Sequence, residues 1–131
     1  MEMHRHTFRK AERLCSKKHI ETLFAGGSRT ISVYPLRVVF TTTSPSQARD
    51  RVSVLVSVSK RHLRHAVDRN SVKRLIREAY RLNKESLLNT LTEGQCLDLA
   101  FIWMSDECSE FYIVESKVKL LLQRMAELLK E

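Results

Sequence analysis

The sequence predicts an α/β (α+β) two-layer sandwich, a mixed sheet with helices packed on it, in the order α-β-β-α-β-α. Three observations carry that expectation. Residues 51–59 alternate valine with serine or leucine at a period of two, as a half-buried strand does. Residues 63–91 and 111–129 repeat apolar side chains at a helical period. Between them, Cys96 to Met104 is mostly apolar, as a strand in the middle of a sheet is. A length of 131 residues fits one domain. Residues 1–131 are therefore read as a single domain with a basic arm at 1–13.

Met1 to Arg13 is polar and basic with no apolar h-region, so it does not read as a signal peptide. A short helix follows from Ser16 to Ala25, with Ile20, Leu23 and Phe24 at i, i+3, i+4. Gly26 and Gly27 end it, because glycine takes the left-handed cap conformation at little cost. Ile31 to Thr42 reads as one strand, in which Leu36, Val38 and Phe40 alternate with Pro35, Arg37 and Val39. Pro35 belongs near a strand end or edge, since it cannot donate to the ladder. Thr43 to Asp50 is a polar loop.

Arg51 to Ser59 is the next strand. Val52, Val54, Val56 and Val58 share one face; Ser53, Leu55, Ser57 and Ser59 share the other. The serine-rich face is expected to be open or lightly covered, with room for a flat ligand. The long helix from Leu63 to Leu91 stops near Gly94. Ser105 to Ser109 forms a loop, and Phe111 to Leu129 an amphipathic helix with Val114, Val118, Leu121, Leu122, Met125 and Leu129 inward. Trp103 reads as core. Tyr80 lies between a polar and an apolar stripe, where capping the core edge and touching a ligand are equally good readings.

Charge narrows the function. Lys and Arg total 23 against 15 Asp and Glu, a formal net charge of +8. That balance favours phosphate backbones or anionic lipid as partners. No apolar run approaches the ~20 residues of a membrane span, so the expected place is the cytoplasm and no membrane partner is expected. Cys15, Cys96 and Cys108 have no metal-type spacing and read as free thiols in a reducing compartment.

The excess is concentrated. Lys60 to Lys84 holds nine basic residues against Asp68 and Glu78, or +7. On a helix, Arg69, Lys73 and Arg77 form a stripe at i, i+4, i+8, flanked by Asn70, Arg74, Arg81 and Lys84. Val72, Leu75, Ile76, Ala79 and Leu82 lie opposite and dock the helix on the sheet. Like charges at that spacing repel by some tenths of a kcal/mol each, and a purely solubilising face would mix its signs. Arginine predominates, and its planar fork binds phosphate bidentately and stacks on bases. Composition alone leaves RNA and DNA both open.

Catalytic groups are not evident. The 15 acids are scattered without a D-x-D pair. Asp106, Glu107 and Glu110 lie in a loop and helix start, where acids favour the dipole. His62 and His65 are spaced for a metal, with RNA contact or solvent exposure as the competing readings. No glycine-rich phosphate loop is present.

The run Ser57-Val58-Ser59-Lys60-Arg61, followed by Ala66-Val67-Asp68-Arg69-Asn70-Ser71-Val72-Lys73-Arg74-Leu75-Ile76-Arg77-Glu78, resembles the signature of the bacterial ribonuclease P protein subunits. In that family a strand ending S-V-S-K-K/R leads into A-V-x-R-N-R-x-K-R-x-x-R-E on a long helix. This chain matches at Arg69, Asn70, Lys73, Arg74, Arg77 and Glu78. Phe8-Arg9-Lys10-Ala11-Glu12-Arg13-Leu14 resembles the entry segment of the family, and Phe24-Ala25-Gly26-Gly27 its first helix end. Ser71 stands where the family has a second arginine, which removes one cation. Ile20 stands where many members carry an aromatic residue.

The resemblance implies a left-handed βαβ crossover, against the usual right-handed rule. It also implies a division of labour, in which a ribonuclease P RNA, with Mg²⁺ bound mainly by that RNA, carries the hydrolysis and no protein side chain is catalytic. The implied contacts to the catalytic RNA are Lys60, Arg61, Arg64, His65, Arg69, Asn70, Ser71, Lys73, Arg74, Arg77 and Arg81. The implied cleft for the single-stranded 5′ leader of precursor tRNA is built from Phe8, Arg13, Lys17, Ile20, Phe24, Arg37, Ser53, Ser57 and Ser59. The expected partners are thus two RNAs and no DNA, with the protein a monomer in isolation and no metal held by it. A ribosomal or RNA-chaperone protein of the same fold, and a protein-only nuclease, are the competing readings. The basic motif directly after a serine-rich strand argues against the first, and the lack of clustered carboxylates against the second.

Overall fold

The structure is a computed structural model that describes residues 20, 23–24, 28–43, 52–91 and 96–130. Its strands are β1 (Arg29–Val33), β2 (Leu36–Thr43), β3 (Val52–Val58) and β4 (Cys96–Trp103). Its helices are α1 (Ala66–Asn83), α2 (Glu85–Thr90) and α3 (Phe111–Leu129). Ile20, Leu23 and Phe24 are helical, within the expected first helix. The rest of that helix, the arm at 1–13 and the Gly26-Gly27 stop lie outside the described residues.

The four strands form one mixed sheet in the order β1-β2-β4-β3. β1 and β4 each pair antiparallel with β2, while β3 pairs parallel with β4. β4 is central, as its apolar sequence requires. A parallel neighbour cannot be reached by a hairpin, and α1 with α2 supplies the connection.

The single strand expected over Ile31–Thr42 is a hairpin. β1 and β2 meet at Val33↔Leu36, with Tyr34 and Pro35 as the turn and a cis peptide between them. The reason is a change of phase. Ile31 and Val33 point to the same face as Leu36, Val38 and Phe40, and an unbroken period of two cannot join odd positions to even ones. The long helix also departs from expectation. It begins at Ala66, and at Lys84 it divides into α1 and α2.

One face of the sheet carries the main core. Leu36, Val38 and Phe40, the four valines of β3, and Leu97, Leu99, Phe101 and Trp103 meet Val72, Ile76, Ala79 and Tyr80 of α1. Val114, Val118, Leu121, Leu122 and Met125 of α3 complete it. Each Val, Leu, Ile, Phe or Met among them stabilises the fold by about 1.5–3 kcal/mol when fully buried. Tyr80 is core, set edge-on to Phe101 with ring centroids 6.2 Å apart. Asn83 Nδ2 donates to Glu115 Oε2 at 3.2 Å, joining the end of α1 to the start of α3. Arg29 Nη1 donates to the Leu128 carbonyl at 3.1 Å, fixing β1 to the last turn of α3.

The other face is covered in its middle by a smaller cluster. Leu23 packs on Val39 and Ala100, with Ile20, Leu55 and Ile102 around them. The helical residues before β1 therefore lie across the sheet opposite α1 and α3. Among the described residues no helix is long and apolar enough to cross a membrane.

Candidate nucleic-acid interface

The connection from β3 to α1 is short and tied down. The amides of His62 and Leu63 donate to the Ser59 carbonyl at 3.2 and 3.1 Å. The His62 amide also lies 3.3 Å from Ser59 Oγ. Leu63 is buried and anchors the segment, while His62 Nδ1 lies 2.8 Å from Asp106 Oδ1 in the loop after β4. Arg69 Nη1 donates to the carbonyls of Leu63 at 3.0 Å and Arg64 at 2.9 Å. Lys60, Arg61, Arg64 and His65 are left exposed.

On α1 the outward crest differs from the expected one. Asn70, Ser71 and Arg74 are exposed, whereas Arg69, Lys73, Arg77 and Arg81 are half-buried on one flank. Leu82, expected inward, is 40% exposed. Tyr80 explains the shift. Its bulky ring enters the core, so the buried sector is centred between Val72, Ile76, Ala79 and Tyr80. That rotation draws Lys73 and Arg77, two turns and one turn before Tyr80, toward the core and turns Leu82 outward. Lys84, expected on the cationic flank, is buried.

The cations also differ in what they touch. Arg81 pairs with Glu78 one turn back, and Arg77 is engaged as well. Arg69 is turned to backbone carbonyls. Lys60, Arg61, Arg64, Lys73 and Arg74 form no ion pair among the described residues. They run from the end of β3 onto α1 as one basic surface, which a polyanion can neutralise with release of counterions.

The second face of the sheet ends beside that surface. Register places Ser32, Arg37, Ile102 and Ser57 in one row, and Thr30, Val39, Ala100 and Leu55 in the next. Ile20 and Leu23 cover the second row. Arg37 and Ser57 are half-buried and Ser59 is exposed, so the first row is left partly open at the ends of β3 and β4. Phe24 is 48% exposed at the neighbouring segment. Ser53 departs from expectation: it is 1% exposed, in a closed row with Asp98 and Thr41. The open part of this face is confined to the Arg37–Ser57 end. Phe8, Arg13 and Lys17 lie outside the described residues.

Two features escaped sequence reasoning. Arg37 Nε is buried and makes no hydrogen bond among the described residues; an unmet buried donor costs about 1–3 kcal/mol. Tyr34 stands 68% exposed at the hairpin tip, beside the Pro35 carbonyl that accepts from the Met104 amide at 2.8 Å. The change of phase at Tyr34-Pro35 was the available signal for an exposed aromatic there. A cation and an exposed ring at the partly open end of the sheet suit an unpaired nucleotide.

Among the described residues no three His, Cys, Asp or Glu side chains gather to hold a metal. His62 is engaged by Asp106 and His65 is exposed. Cys96 is buried and Cys108 exposed. The Cys108 thiol is held above its usual range, first by partial desolvation and then by the Asp68 charge.

Comparison with known proteins agrees with this geometry. Residues 8–126 match the profile of the Ribonuclease P family. The chain is 47% identical over 118 residues to a ribonuclease P protein component of Porphyromonas gingivalis, covering 89% of this chain and 85% of the relative. It is 38% identical to that of Chlorobium phaeobacteroides, covering 71% of this chain and 64% of the relative. Among solved structures, the RNase P protein of Staphylococcus aureus superposes with a TM-score of 0.67 at 19% identity, covering 88% of this chain and 96% of that one. The Thermotoga maritima protein gives 0.66 at 24% identity, covering 86% and 96%. At these identities the structural likeness speaks to the fold.

Proposed function

The chain belongs to the family of ribonuclease P protein components, and on that premise we propose that it joins a catalytic RNA to remove the 5′ leader from precursor tRNA. It is a subunit of a tRNA-processing ribonuclease. In this reading the RNA subunit, with the Mg²⁺ it binds, supplies the phosphodiester hydrolysis. The protein's work is binding and positioning. Lys60, Arg61, Arg64, Lys73 and Arg74 neutralise phosphates of the folded RNA. Asn70, Ser71 and His65 lie within the same surface as hydrogen-bonding groups.

The partly open end of the sheet at Arg37 and Ser57 receives the single-stranded leader. The Arg37 guanidinium offers a half-buried cation for a leader phosphate. Tyr34 and Phe24 offer faces for stacking, worth about 1–3 kcal/mol per base. The hold on the leader raises affinity for substrate over mature product. We assign the chain to the cytoplasm, as a monomer before assembly, with RNA and not DNA as its partner.

The observation that carries this reading is the adjacency of the two surfaces. Ser57 lies at the partly open end of the sheet, and Lys60 opens the basic surface on the same strand end. The test is reconstitution of a bacterial ribonuclease P RNA with 5′-extended tRNA at moderate Mg²⁺. Added protein is expected to stimulate cleavage at the mature 5′ end. Equal rates with and without protein would reject the assignment.

A further inference from the structure

Arg69 belongs to the basic motif, yet its geometry differs from that of its neighbours. It is the fourth residue of α1, in the first turn, where the helix dipole disfavours a cation. The turn also has no side-chain cap, because His65 at the N-cap makes no such bond. The Arg69 side chain bends back out of the helix. One of its terminal nitrogens, Nη1, donates to two successive carbonyls, those of Leu63 and Arg64. Neither carbonyl accepts an intrahelical bond, since both precede the N-cap. The guanidinium thus closes the strand-to-helix connection from its far side.

The near side is closed by Ser59, whose carbonyl takes the His62 and Leu63 amides. Between these two fastenings stand Lys60, Arg61 and Arg64, with His65 just beyond. We infer that Arg69 is a positioning residue: it binds RNA chiefly through the loop it holds, by keeping Lys60, Arg61 and Arg64 in a binding-ready arrangement. Holding flexible cations in place before association lowers the entropy lost on binding. Arg74, exposed on the outward crest, has no such internal partner among the described residues and contacts phosphate directly.

The inference rests on the reading of this surface as an RNA interface, and one experiment separates the two. The affinity of the full chain for a bacterial ribonuclease P RNA transcript is measured over a range of salt for the parent, Arg69→Met, Arg69→Gln and Arg74→Met. Each direct phosphate contact contributes about 0.7–0.9 to the slope of log affinity on log salt. Arg74→Met is expected to flatten the slope by that amount. Both Arg69 variants are expected to bind about tenfold more weakly with the parental slope. Their backbone amides at residues 60–65 are expected to exchange hydrogen faster than the parent's.

If Arg74→Met leaves affinity and slope unchanged, the RNA interface is not here and the reading of the surface fails. If Arg74→Met flattens the slope and the Arg69 variants flatten it equally, Arg69 is a direct contact and the inference is overturned. Unchanged amide exchange in both Arg69 variants overturns it too. Should Arg69→Met not fold, as circular dichroism would show, Arg69→Gln carries the same two measurements.

Discussion

His62 and Asp106 join the two ends of the parallel strand pair, with Nδ1 of one 2.8 Å from Oδ1 of the other. The bond links the connection after β3 to the loop after β4. Asp106 is largely exposed, so the pair is well screened. Asp106→Ala is expected to lower stability by no more than about 1 kcal/mol. Urea unfolding at low and high salt checks this, and the difference between variant and parent is expected to shrink as salt rises.

The rotation of α1 gives a paired test. Ile76 is fully buried and Leu82 substantially exposed. Ile76→Ala is expected to cost about 2–5 kcal/mol through the cavity it leaves. Leu82→Ser is expected to stay within about 0.5 kcal/mol of the parent. Equal losses in denaturant unfolding would mean that the helix buries a different face.

Arg37 couples stability to binding in opposite directions. Its buried Nε has no acceptor among the described residues. Arg37→Met is expected to leave the unfolding midpoint unchanged or higher, while weakening holoenzyme affinity for 5′-extended tRNA. Affinity for mature tRNA is expected to hold. A loss of affinity for both RNAs alike would place the role of Arg37 elsewhere.

Tyr34 tests the same end of the sheet from the hairpin tip. Tyr34→Ala removes an exposed ring and is expected to leave folding intact. It should weaken binding of a leader-bearing substrate by about 1–3 kcal/mol. Leaders shortened stepwise from the 5′ end would show the nucleotide at which parent and variant become alike.

The two described thiols should differ in reactivity. Cys96 is buried, and reaction with a maleimide is expected only on unfolding. Cys108 is exposed but its thiol is held above the usual range by desolvation and by Asp68. A raised value means less thiolate at any given pH, so its alkylation should begin at higher pH than that of an unperturbed exposed cysteine. Asp68→Asn is expected to move that onset downward.

Much of this was legible from local pattern. The β3 valines, the apolar β4 and the inward residues of α3 follow from periodicity, which reports which face is greasy. The basic run from Lys60 to Arg81 was legible as charge. Periodicity does not report phase changes unless every position is counted, and the slip between Val33 and Leu36 turned one expected strand into two. Nor does it weigh ring size against stripe position, which is how Tyr80 displaced Leu82 from the core. Ser53 was read from its polarity, yet its row is closed, because burial there is set by what crosses the sheet. The turning of Arg69 toward carbonyls lies beyond any pattern of residue types. It depends on where the backbone of the preceding loop runs.

The peptide from Ser57 to Lys60 spans at most about 10 Å even when fully extended, and part of it is strand. No joint can be accommodated in so short a stretch. On the proposed assignment, the protein therefore works as a caliper with fixed jaws. The offset between leader and ribozyme is written into covalent geometry, and lengthening that stretch by a residue should blur where the leader is seated without loosening either grip.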